Sequence, residues 1–105
     1  MIFVAHRINT IKNLKELEPK FGVEIDLRDF KKDIHISHDP FKKGIKLSRY
    51  LKYYKHNFII CNIKSERIEL EVIKILKKFK IEKFFFLDSS FPMKVICLKK
   101  KIYNQ

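Results

Sequence analysis

Apolar runs of strand length alternate with stretches whose apolar residues recur at helical spacing, and this alternation restricts the fold more than any other feature of the chain. Ile2 to Ala5, Val23 to Leu27, Phe58 to Ile63 and Lys83 to Asp88 read as strands. Between them, Ile11, Leu14 and Leu17 mark a helix that Asn9 or Thr10 can cap and that Pro19 and Gly22 close. Leu47, Tyr50, Leu51 and Tyr54 form one helical stripe. Ile68, Val72, Ile75, Leu76 and Phe79 form another, with Ser65 as N-cap, Glu66 and Glu69 near its start and Lys77, Lys78 and Lys80 near its end, the order that the helix dipole favours. Pro92 suits the first turn of a last helix. Strands separated by helices predict an α/β fold with a parallel sheet and right-handed crossovers. No repeat, linker or change of composition divides the 105 residues, so residues 1–105 are expected to form a single domain.

The second strand and the segment after it hold the densest chemistry. From Val23 to Leu27 apolar and acidic residues alternate, which sends Glu24 and Asp26 to one face and Val23, Ile25 and Leu27 to the other. The two carboxylates then stand about 7 Å apart along the strand. Asp29 to Lys32 turns the chain, and a short alternating run, Asp33 to Ser37, leads to His38. A carboxylate-bearing strand with a histidine returning beside it is a candidate metal and acid/base site. The other polar candidates also fall at or beyond strand C-termini: His6 and Arg7, then Asn62 and Lys64, then Asp88. Active sites of parallel α/β folds are built at that end.

His6-Arg7, Asn9-Thr10, Gly22-x-Glu24-x-Asp26, His38-Asp39 and Ile63-Lys64, in that order, resemble the glycerophosphodiester phosphodiesterases, relatives of the phosphatidylinositol-specific phospholipases C. The resemblance implies a TIM barrel in which His6 and His38 are the acid/base pair. It makes Glu24, Asp26 and Asn62 the ligands of a divalent cation, Mg²⁺ or Ca²⁺, and it puts Arg7 and Lys64 on the phosphate of a small-molecule phosphodiester. Asn62 stands where the family carries Glu, so a neutral carbonyl oxygen replaces a carboxylate, and Ile8 alone separates Arg7 from Asn9 where the family has a longer loop. Such barrels take about 250 residues. The implied fold is therefore a partial, half TIM barrel of about four main strands and three to four helices, which two copies would close as a homodimer. Both a glycerophosphodiester-cleaving hydrolase and an inactive remnant of one fit this description.

The formal charge of +12, from 24 Lys and Arg against 12 Asp and Glu, raises nucleic acid as a partner. The charge is spread along the chain, with Lys99 to Lys101 its run of three, so a solvated basic surface is favoured over a nucleic-acid face. A non-catalytic phosphate- or anion-binding module is the alternative to an enzyme. No transmembrane segment or secretory leader is evident, and a cytoplasmic protein is expected. Cys61 and Cys97 lie in apolar runs and are expected to be buried thiols. Phe84 to Phe86 are expected in the core, Asp88 as a helix cap, and His35 and His56, which belong to no motif, at the surface.

Overall fold

The computed structural model describes residues 4–39, 42–65 and 67–87. Its elements run β1 (Val4–Ala5), α1 (Ile11–Glu16), β2 (Gly22–Phe30), β3 (Asp33–Ile36), β4 (Ile45–Lys46), α2 (Leu47–Tyr50), a 3-10 turn (Leu51–Tyr53), β5 (Ile59–Ile63), α3 (Glu69–Lys78) and β6 (Phe84–Leu87). This is a mixed α/β fold on one six-stranded sheet. Strands β1, β2, β5 and β6 pair in parallel and in chain order, as the alternation of strands and helices predicts. Strands β3 and β4 add antiparallel to the same sheet.

β2 is the centre of the assembly. β5 covers one of its edges from Val23 to Leu27. The other edge is divided: β1 pairs with Gly22 and Val23, and β3 pairs only from Leu27 to Phe30. Asp29 and Phe30, expected to begin a turn, instead extend β2, because they pair with Ile34 and Asp33. The reversal is confined to Lys31 and Lys32, with φ of 48° and 72°. Two consecutive left-handed residues match the right-handed twist of the flanking strands, a conformation usually given to Asn-Gly.

The apolar face of β2, Val23, Ile25 and Leu27, is fully buried in one cluster with Ile59 and Cys61 of β5, Phe84 and Phe86 of β6, and Leu14, Leu47, Tyr50, Val72 and Leu76 from the helices. The stripe expected of a longer helix ends early: Leu47, Tyr50 and Leu51 are buried, but the chain tightens at Leu51 and is extended at Tyr54. α3 begins at Glu69, and Ser65 does not cap it; its hydroxyl accepts the Asp29 N–H at 3.1 Å. The helix ends with Lys80 at φ 61°, where the Ile81 N–H reaches the Leu76 carbonyl and the Lys80 N–H reaches that of Lys77. This closure satisfies carbonyls the last turn would otherwise leave bare.

His35 and His56 are buried, contrary to the surface positions expected of them. All of Ile34, His35 and Ile36 are covered, so alternation along β3 does not separate core from solvent. His35 donates from Nδ1 to the Gly44 carbonyl at 2.9 Å, and His56 from Nε2 to the Leu17 carbonyl at 2.9 Å. Asp88, Cys97 and the helix expected from Pro92 lie outside the described residues. Among the described residues no helix is long and apolar enough to cross a membrane.

Candidate active site

Between the stretches that β1 and β3 cover, the edge of β2 at Glu24 and Asp26 would expose backbone groups that need partners. Two loops supply them. From the loop after β1, the Ile8 N–H donates to the Glu24 carbonyl at 2.8 Å and Asn9 Oδ1 accepts the Asp26 N–H at 3.0 Å. From the end of β3, the Ser37 N–H donates to the Asp26 carbonyl at 2.9 Å. The gap in strand pairing thus draws together the two loops that carry His6 and His38.

Each histidine faces one carboxylate of β2. His6 Nδ1 lies 3.2 Å from Glu24 Oε1, and since a carboxylate can only accept, Nδ1 carries the proton. His38 Nδ1 lies 3.6 Å from Asp26 Oδ2, an ion-pair distance longer than a hydrogen bond. The carboxylates are sunk in the sheet, Glu24 at 14% and Asp26 at 1% side-chain exposure, while the imidazoles reach solvent, His6 at 78% and His38 at 49%. At His6, a proton held at Nδ1 leaves Nε2 with its lone pair, the tautomer required of a general base.

Asn9, expected as a candidate helix cap and as part of the motif series, and Arg28, to which the sequence pattern assigns no role, both take part in this site. Asn9 does not cap α1; Thr10 does, its Oγ1 accepting the Asn13 N–H at 3.1 Å. Asn9 instead donates from Nδ2 to Asp26 Oδ2 at 2.9 Å. Arg28 continues the period-two face of Glu24 and Asp26, and its Nη2 donates to the His38 carbonyl at 3.0 Å. Extending the alternation past Leu27 would have found it. Tyr50, fully buried, donates its hydroxyl to the Ile8 carbonyl at 2.7 Å and so secures the first loop from below. Burial pushes the Tyr50 phenol well above its ordinary range, with Tyr54 and Cys61 adding to the shift.

Three further expected residues are placed by the backbone. Asn62 sits opposite Asp26 in the β2/β5 register, and Lys64 comes one alternation later, its N–H donating to the Leu27 carbonyl at 2.9 Å. Arg7 is exposed at φ 52°, a conformation that costs a non-glycine residue of order 1 kcal/mol.

Among the described residues, no group of three or more His, Cys, Asp and Glu is disposed to hold a metal ion. An oxygen-donor site built partly from an amide is another matter. Asn62 Oδ1 is buried and accepts no hydrogen bond among the described residues. An orphaned carbonyl oxygen beside Asp26 suits a hard cation such as Mg²⁺ or Ca²⁺, which takes carboxylate and amide oxygens alike. Asp26 and Asn62 are thus donors of the chemical type that such an ion takes.

No family model, curated protein or solved structure matches this chain.

Proposed function

We propose that the chain carries a phosphodiester hydrolase site of the glycerophosphodiester phosphodiesterase type, cleaving glycerol- or lipid-derived phosphodiesters by histidine acid/base chemistry. The observation that carries this reading is the pair of histidines, each with Nδ1 turned to a carboxylate of the same strand edge, His6 to the partly buried Glu24 and His38 to the buried Asp26. One imidazole takes the proton of the attacking water or hydroxyl at Nε2; the other, protonated, gives a proton to the departing alkoxide. Glu24 and Asp26 orient the rings and stabilise the imidazolium. Arg7 and Lys64 supply positive charge for the phosphate oxygens. Glu24, Asp26 and Asn62 would hold a divalent cation, which when bound neutralises charge developing on a phosphoryl oxygen.

The four parallel strands in chain order support the finer reading of the fold as half of a (β/α)₈ barrel. A second copy would supply the other half, and a dimer mass in solution would agree with it. The site itself is tested by incubating the protein with glycerophosphocholine and glycerophosphoglycerol in Mg²⁺ or Ca²⁺. Release of the alcohol that stops on chelation is the expected result. Binding of the esters without turnover would leave a phosphate-binding module in place of the enzyme.

A further inference from the structure

An open cleft of about 760 Å³ adjoins the site, and His38 and Asn9 belong to both. Four cationic side chains, Lys42, Lys43, Lys46 and Arg49, line it. Of these, Lys46 is paired with Asp33 at 3.4 Å, whereas Lys42, Lys43 and Arg49 have no carboxylate partner among the described residues. Asp39 is the one carboxylate among the described lining residues, so the cleft keeps a positive balance. Ile11, Ile36 and Ile45 form apolar parts of the wall, and charges beside a low-dielectric wall act more strongly on a ligand than charges on an open surface.

The backbone that presents these cations is held in place. Ser37 Oγ lies 2.8 Å from both the Asp39 and the Lys42 carbonyl oxygens. His35 donates to the carbonyl of Gly44, whose missing side chain lets the segment lie against the Ile36 carbonyl. A buried histidine and a glycine at a close approach thus fix a cationic segment next to His38, which an incidental surface charge would not require. The volume falls in the range of small-molecule sites.

We propose that this cleft binds an anionic substituent on the alcohol of the substrate, a phosphate monoester in particular, so that the preferred phosphodiester carries a second negative charge. The inference rests on the phosphodiesterase reading for its catalytic consequence but not for the binding itself. It gives the cationic segment after His38 the task of selecting which ester reaches that histidine.

The test compares glycerophosphoglycerol with the same ester bearing a terminal phosphate. The wild-type protein should prefer the phosphorylated ester in kcat/KM, and Lys42→Glu/Arg49→Glu should reduce that preference about tenfold or more, with Lys42→Gln/Arg49→Gln intermediate. An undiminished preference in the charge-reversed variant, or no preference in the wild type, overturns the proposal while leaving the hydrolase reading intact. If neither ester is cleaved, inorganic phosphate titrated into the labelled protein separates the two claims. Amide shifts at Ser37, Lys42 and Arg49 that disappear in the charge-reversed variant uphold the cleft, and unchanged spectra at millimolar phosphate overturn it. Sedimentation with phosphatidylcholine vesicles containing phosphatidic acid, lost in the variant, would assign the phosphate to a lipid headgroup; cleavage of the soluble ester without vesicle binding would assign it to a free ester. Steeply salt-dependent binding of a single-stranded oligonucleotide, with no response to the phosphorylated ester, overturns the proposal in favour of a nucleic-acid face.

Discussion

Asn9 grips Asp26 at both backbone and side chain: its Oδ1 accepts the Asp26 N–H at 3.0 Å, and its Nδ2 donates to Asp26 Oδ2 at 2.9 Å. One amide therefore stands in for a missing strand neighbour and also solvates a carboxylate that is almost wholly out of water. Asn9→Ala removes both bonds and leaves a buried acceptor and a buried N–H short of partners. The expected cost is about 2 kcal/mol, read as a lower urea midpoint at unchanged slope.

Arg28 tethers His38 through its carbonyl, to which Nη2 donates at 3.0 Å. Arg28→Met keeps much of the apolar stem and removes the tether. Turnover of a phosphodiester should fall by about one to two orders of magnitude, while the urea midpoint moves little. The imidazole ¹⁵N signals of His38 should change and those of His6 should not.

Gly44 has no room for a side chain. A Cβ there would run into the Ile36 carbonyl oxygen, a backbone atom that cannot turn aside. Gly44→Ala should cost about 3 kcal/mol or more, with loss of the His35 contact as its first structural sign. Gly22→Ala meets the ring of Phe58 instead. A side chain can shift, so the smaller loss of melting temperature belongs to that variant.

Tyr50 sets an alkaline limit on stability. Burial raises its phenol above the ordinary value near 10. The folded form therefore holds a proton that the unfolded chain releases, and stability is complete below about pH 10 and falls as pH rises beyond it, by about 1.4 kcal/mol per unit from this group. Tyr50→Phe costs about 1 kcal/mol at neutral pH, for the lost bond to the Ile8 carbonyl, and makes the alkaline fall shallower. Chemical denaturation between pH 8 and pH 11 reads both effects.

The β/α alternation was legible because strand-length apolar runs and helical stripes are local patterns, and β2, β5 and α3 lie close to where those patterns put them. Glu24 and Asp26 were legible for the same reason, since alternation on a half-buried strand assigns faces without knowledge of neighbours. What escaped depends on contacts between distant segments. Asn9 caps nothing and crosses to Asp26; Ser65 serves Asp29 and not its own helix. His35 is buried because β3 is covered on both faces, which no pattern within β3 reveals. β4 is too short, at Ile45–Lys46, to register as a period of any kind. Arg28 was within reach, because it continues the polar face by two residues and only the early turn assigned at Asp29 concealed it.

The central claim is that His6 and His38 act as a pair on a phosphodiester. Its most direct measurement is kcat/KM for glycerophosphodiester hydrolysis in Mg²⁺ by the wild type, His6→Ala, His38→Ala and the double variant. Each single variant should lose at least about 100-fold, and the double variant should be little worse than the weaker single one, as for residues that act as a unit. Absence of turnover in the folded wild type, or single variants that retain its rate, would contradict the claim.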